Sequence, residues 1–341
     1  MKYIWNKTRL INFIKESLDD SWVIYRWKKV YDLFCWTWSV SSFFLENDCE
    51  VFSCDNMTYS IAEQYRKLYF REEPEFQELK NKYWISSLDE VLKYLNELEW
   101  FSWYFFDNFC ENWKHKRKFF SDWNAKKIDA IRQKIDERKD LIPYEKYMFL
   151  LWILMNAADF VSNTAWTYWA FLKIWRTMAL KEINLIKPDF IKTWKMNIFL
   201  GDVIKFVESQ PEVDVAYMDP PYNTRQYPAY FSTLESIVVY DKQELKWKAW
   251  LRNYDDQKSK FSIKKDVLNE FSCLISKIKA KNIVLSYSTE GIMKINDIIE
   301  VFERYWVTKV YGHDYRRFKT NAWTDCDTNL KELVFICKKE C

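Results

Sequence analysis

Short, nearly continuous apolar runs alternate with helical patterns towards both ends of the chain, the signature of a mostly parallel α/β sheet. The strands predicted from these runs are Val30 to Cys35, Glu50 to Cys54, Met196 to Leu200, Val213 to Met218, Asn282 to Tyr287, Val307 to Tyr311 and Leu333 to Cys337. A polar, Asp-containing stretch separates the last two, which reads as a terminal antiparallel pair. Between the second and third strands, roughly Tyr69 to Lys195, strand signals give way to helical periodicity: Ile128, Ile131 and Ile135 recur at helical spacing, and Met148 to Leu154 is apolar throughout. Such a segment is too long for a connection and predicts an inserted subdomain. The expected organisation is an α/β domain from residues 1–68 and 196–341, interrupted by a mostly helical subdomain over 69–195.

Composition changes this picture at one point. The 341 residues contain 19 Trp and only 3 Gly, whereas about 7% usage gives roughly 24 glycines in a chain of this length. We read the excess as UGA codons for glycine rendered as tryptophan. Trp5, Trp36, Trp38, Trp166 and Trp169 all fall at turns or before small residues. The stretch Asp32-Leu-Phe-Cys-Trp-Thr-Trp-Ser39 follows the first strand, where a nucleotide-binding loop uses glycine for positive φ and close backbone approach; two indoles there would fill the site.

The remaining bulk properties exclude little. A net charge of +3 neither requires nor forbids a nucleic-acid partner. The densest basic run is Lys114-His-Lys-Arg-Lys118, readable equally as a solvated helix face. The eight Cys lack CxxC pairing and the two His, His115 and His313, complete no zinc set, so free, mostly buried thiols and no metal are expected. No apolar run is long enough to span a membrane and no signal peptide is apparent, so the expectation is a cytoplasmic protein without membrane association.

The sharpest chemical signal is Val215-Ala-Tyr-Met-Asp-Pro-Pro-Tyr-Asn223, an apolar strand ending in Asp219-Pro220-Pro221-Tyr222. Strand C-termini of open α/β sheets are where ligands bind. Two prolines remove two backbone donors and leave a rigid loop of acceptor carbonyls. An acidic side chain adds a further acceptor and the tyrosine ring a stacking surface, which together fit a planar base bearing an exocyclic NH2. Asp55, at the end of the second strand, stands where an acidic residue holds ribose hydroxyls in nucleotide-binding folds.

With Trp36 and Trp38 read as glycine, the loop becomes DLFCGTGS; with Trp5 so read, Tyr3 to Lys7 becomes YIGNK. In that order, followed by a long insertion and then DPPY, the chain resembles the alpha-class (Dam-like) adenine-N6 DNA methyltransferases over nearly its whole length. The extension Asn223 to Tyr227, with Tyr230 and Leu234-Glu235, looks like the branch found in type IIS restriction-modification systems. The resemblance implies a seven-stranded Rossmann-like fold and S-adenosylmethionine as cofactor. It implies Tyr3, Lys7, Asp32, Phe34, Trp36, Trp38, Asp55, Asp202 and Asp219 around that cofactor, and Asp219, Pro220, Pro221 and Tyr222 on the target adenine. Asp202 reads equally as a helix N-cap, and Ser286 to Gly291 as a pocket wall or a strand-to-helix turn.

The implied substrate is double-stranded DNA, its target base flipped out of the helix, and an implied partner is a cognate restriction endonuclease. Candidate DNA contacts are Lys114, Lys116, Arg117 and Lys118, the stretch Asn124 to Arg132, and Arg225 beside the active loop. Competing readings are a cytosine amine or RNA as acceptor, a DNA-binding derivative without cofactor if Trp36 and Trp38 are genuine, and an NAD-binding oxidoreductase, which the lack of GxGxxG disfavours.

Overall fold

The computed structural model describes residues 7–36, 38–65, 69–70, 72–111, 115–165, 167–190, 196–245, 251–314 and 330–339. Tyr3, Lys114 and Trp166 lie outside them, as does Trp5. The strands are β1 (Lys29–Leu33), β2 (Glu50–Asp55), β3 (Met196–Leu200), β4 (Val213–Met218), β5 (Ala280–Ser288), β6 (Trp306–Asp314) and β7 (Lys331–Lys339). They form one seven-stranded sheet in the order β3-β2-β1-β4-β5-β7-β6. All pairings among β1 to β5 are parallel, while β7 runs antiparallel between β5 and β6. This is the Rossmann-like α/β sheet the sequence predicts, including its terminal antiparallel pair. β1 ends two residues earlier than expected because Phe34 takes a left-handed conformation, φ 64°, which turns the chain out of the sheet.

Strands buried on both faces need apolar residues at successive positions, and β1 and β4 supply them. Tyr31, Leu33, Ala216, Met218, Ile283 and Leu285 pack with Phe206, Phe271, Leu274 and Phe302 on one face. Val30, Val51, Val215 and Val284 are buried on the other, where helix Ser39–Glu46 packs on β1 and β2 and helix Ile11–Asp20 on β7.

The chain divides into two compact units. One is built on the sheet and comprises Ile4–Ile61, Thr193–Gln226 and Asp256–Cys341; the other comprises Met1–Tyr3, Ala62–Lys192 and Tyr227–Asp255. The second is helical. Its longest helix, Tyr144–Phe160, is buried over Met148–Met155, as the apolar run predicts. Helix Asp122–Asp136 is buried through most of its length despite its charges, and these charges cap neighbouring helices. Asp129 accepts the backbone N–H of Trp103, Phe105 and Phe106 at 3.1, 2.8 and 2.9 Å, at the start of helix Tyr104–Phe109. The Lys127 ammonium donates to the carbonyls of Asn96 and Leu98, both 2.6 Å, closing helix Leu88–Asn96. Arg132 donates to the carbonyls of Ile237 (2.6 Å) and Val238 (3.1 Å) at the end of helix Ser232–Val239. Asn124 ties down the backbone at Lys181 and Ile183, both 2.8 Å. The Asn124 to Arg132 stretch is therefore interior, not a DNA-facing surface: in a packed bundle its polar groups are consumed by helix ends.

Among the described residues, three tryptophans hold left-handed backbone that glycine normally supplies. Trp22, Trp27 and Trp84 have φ of 55°, 56° and 59°. These residues are 85%, 72% and 88% exposed. Trp22 follows helix Ile11–Asp20: its N–H bonds to Asp19 (2.9 Å) and that of Val23 to Leu18 (3.0 Å), the helix-ending pattern that places glycine at the left-handed residue. Trp152, by contrast, is buried inside a helix, 3% exposed, where glycine would leave a void.

Candidate active site

Strand order reverses between β1 and β4, the topological switch point of the sheet, and ligands in open α/β sheets bind beyond the strand C-termini there. Register brings the motifs together. Leu33 pairs with Cys54 on one side and Met218 on the other, so Phe34, Asp55 and Asp219 leave the sheet at one level. The Asp219 N–H bonds to the Leu33 carbonyl at 3.4 Å, and those of Phe34 and Cys35 to Cys54 at 3.0 and 3.2 Å. Met218 pairs with Leu285, which sets Ser286 beside Asp219. Asp55 pairs with Leu200, and the N–H of Gly201, φ 154°, donates to the Asp55 carbonyl at 2.9 Å.

Of the predicted cofactor residues, Lys7, Asp32, Trp36, Asp55 and Asp219 make polar side-chain or backbone contacts at these strand ends. Asp32 is buried, and the Ser41 hydroxyl donates to its carboxylate. Burial pushes Asp32 up to about 7; Ser41 opposes the rise, and Asp219 and Asp55 add to it. Asp55 accepts the N–H of Trp36 on Oδ2 (3.0 Å) and that of Met57 on Oδ1 (2.9 Å). The Trp36 indole donates to the Tyr59 hydroxyl, and its carbonyl accepts from Ser60 at 3.0 Å. Trp38 precedes helix Ser39–Glu46 with φ −58°, a conformation open to any residue. Phe34 packs edge-on against Phe261, ring centroids 4.9 Å apart. Asp202 caps helix Val203–Ser209, Oδ1 accepting from Ile204 (3.1 Å) and Lys205 (3.0 Å).

The residues fit a sulfonium nucleoside. Carboxylates lie at or next to the ends of three adjoining strands, Asp32 on β1, Asp55 on β2 and Asp219 after β4, which suits a cation. Glycine at position 36 would preserve the N–H to Asp55 while removing the indole.

The Asp219-Pro-Pro-Tyr222 loop is pinned from behind by the Ile292 N–H, which donates to the Tyr222 carbonyl at 2.9 Å. Pro220 is buried; Pro221 and Tyr222 are half-buried. Asn223 accepts the Arg225 N–H at 2.9 Å, forming a turn that leaves the Arg225 side chain exposed.

Lys7 lies against Asp219, its ammonium 3.2 Å from Oδ1. It also bonds to Glu332, and donates to the Ser286 hydroxyl at 3.1 Å. Burial lowers the Lys7 pKa, but Asp219 and Glu332 outweigh it and hold the group well above its usual value. Burial pushes Asp219 up to about 6, opposed by Lys7 and assisted by Glu332. Glu332 escapes sequence reasoning. It is a single carboxylate in an apolar strand, 325 residues from Lys7, and only the placement of β7 beside β5 gives it a role.

The basic run is split by the fold. Lys116 is exposed, and Lys118 pairs with Glu111 at 2.8 Å. Arg117 is buried and donates to the Asn108 carbonyl at 3.0 Å, which removes it from the surface available to phosphate. The free cysteines of the described chain are buried except Cys273. No group of His, Cys, Asp or Glu arranged to hold a metal, and no helix long and apolar enough to cross a membrane, occurs among the described residues.

Comparison with known proteins agrees with this geometry. The family described as D12 class N6 adenine-specific DNA methyltransferase matches residues 3–301. Type II methyltransferase M.NlaIII of Neisseria lactamica is 34% identical over 325 residues, spanning 94% of this chain and 93% of that protein. Type II methyltransferase M.FokI of Planomicrobium okeanokoites is 31% identical over 353 residues and modification methylase LlaI of Lactococcus lactis subsp. lactis 30% over 352. The chain spans 53% and 55% of their respective lengths, about half of each.

Proposed function

The chain belongs to the D12 class N6 adenine-specific DNA methyltransferases, and from that premise we propose that it methylates the exocyclic amine of adenine at a specific sequence in double-stranded DNA. The observation that carries this reading is the register that sets Asp219 level with Phe34 and Asp55 at the switch point. S-adenosylmethionine, when bound, supplies an electrophilic methyl on a sulfonium; Asp32, Phe34, Asp55, Asp202 and the backbone at Trp36 and Trp38 would hold it, with Tyr3 from the N-terminal segment. The target base is paired and stacked in a duplex, so it must flip out before its amine can be reached. Asp219 and the Pro220 carbonyl accept the two amine hydrogens and orient the nitrogen lone pair along the line of transfer, while Tyr222 stacks on the base. Lys116, Lys118, Arg225 and Lys114 supply phosphate contacts. A cognate restriction endonuclease is the expected partner of such an activity, in keeping with the names of the relatives.

Replacing Asp219 by Ala is expected to lower transfer of labelled methyl to duplex DNA at least about 100-fold while S-adenosylmethionine binding, measured by calorimetry, persists. A fully active D219A protein would refute the assignment. Arg225→Ala is expected to weaken DNA binding for all sequences and to reduce the slope of affinity against salt by about 1; an unchanged slope would remove Arg225 from the interface.

A further inference from the structure

Lys7 carries three N–H donors and has three acceptors around it: Oδ1 of Asp219 at 3.2 Å, the Ser286 hydroxyl at 3.1 Å, and Oε1 of Glu332. Ser286 in turn donates to the same Glu332 oxygen at 2.9 Å, closing a ring of three side chains. Ser286 sits on β5, and Glu332 on β7, two residues along from Val334, the partner of Ser286. Both are therefore fixed by central strands of the sheet. The side chains of Lys7 and Glu332 are 9% and 8% exposed and that of Asp219 is 19% exposed. Only Oδ1 of Asp219 has a side-chain partner among the described residues.

We propose that Glu332 is a positioning residue for methyl transfer: with Ser286 it anchors the Lys7 ammonium on Oδ1 of Asp219, so that Oδ2 alone is presented to the amine of the target base. The proposal rests on the activity proposed above and adds to it a residue outside the DPPY motif. Two carboxylates and one ammonium leave the cluster with a single negative charge, complementary to the positive charge that the amine nitrogen acquires as its lone pair takes the methyl from the sulfonium; the sulfur keeps the electrons of the broken bond as a neutral thioether, and one amine proton then leaves by way of Oδ2 to solvent.

The charged and titratable groups around Asp219 are Lys7 from the N-terminal segment, Asp32 from β1, Tyr217 from β4 and Glu332 from β7. Glu332 raises the Asp219 pKa and Lys7 lowers it, so two variants at position 332 should move it in opposite directions. In Glu332→Gln the amide oxygen still accepts from Lys7 while a repelling charge is gone. The acid limb of kcat/KM should shift to lower pH, with kcat within about threefold of the parent. In Glu332→Ala the anchor is lost, Lys7 is released, the limb should shift to higher pH and kcat should fall tenfold or more. Ser286→Ala, a smaller change, should lower kcat in the same sense as E332A but by less. The Asp219 titration, followed by carbon NMR of carboxyl-labelled full-length protein without DNA or cofactor, reads the same shifts with no need for activity. Opposite shifts in E332Q and E332A support the proposal even if methylation of adenine fails to appear, in which case the proposed activity and not the anchor is wrong. Folded E332A and S286A proteins with parent kcat, acid limb and Asp219 titration would overturn it and leave Glu332 a structural ion pair.

Discussion

Asp219 was identifiable in the sequence because its neighbours, two prolines and an aromatic ring, narrow the chemistry to a planar amine. Glu332 was not, because its function depends on the partners that the sheet brings to it. The tryptophans stand between these cases: their number exposes the anomaly, and backbone conformation then sorts them. A side chain in left-handed backbone costs roughly 1–2 kcal/mol, so glycine at 22, 27 or 84 should each raise stability by about 1 kcal/mol in chemical denaturation. The codons are expected to be TGA at those positions and TGG at Trp152; TGG at all of them would end the recoding reading. The carboxylates give a second prediction. Asp32 at about 7 and Asp219 at about 6 are protonated in mild acid and ionised above neutrality. A sulfonium favours the ionised forms, so affinity for S-adenosylmethionine should rise as pH increases through 6 to 7 and then level off. S-adenosylhomocysteine, which lacks the charge, should show a much flatter profile. Parallel profiles would separate these groups from the cofactor.

At the scale of elements, period and burial were readable where apolar residues set them, as in β4 and the helix Tyr144–Phe160. They were misleading where polar residues turn inwards. Helix Asp122–Asp136 looks like a basic, DNA-facing surface, yet its Asp129, Lys127 and Arg132 terminate three other helices. Sequence spacing cannot distinguish a solvated lysine from one that closes a neighbouring helix, because both occupy a polar position. Removing the Asp129 carboxylate leaves three N–H groups without their acceptor, so Asp129→Ala is expected to cost about 2–4 kcal/mol in denaturant unfolding. A loss below about 0.5 kcal/mol, the range of ordinary surface changes, would mean that this cap is dispensable.

For the whole molecule, one sheet with a switch point between β1 and β4 explains why segments distant in sequence come together: the loop after β1, the acidic end of β2 and the DPPY loop after β4 can only emerge together. The strands and their terminal antiparallel pair are legible in the sequence, whereas their order across the sheet is set by pairings between segments distant in the chain. The grouping of Tyr227–Asp255 with the helical unit was not, since those residues continue directly from the DPPY loop and carry no boundary signal. The most direct test of the account is methyl transfer from labelled S-adenosylmethionine to duplex DNA, with the product base identified, using the chain with glycine at every TGA-encoded position alongside the sequence as it stands. The account predicts N6-methyladenine in one sequence context from the glycine form and little or none from the form with Trp36 and Trp38. A folded glycine form that binds the cofactor and transfers nothing to adenine would contradict it.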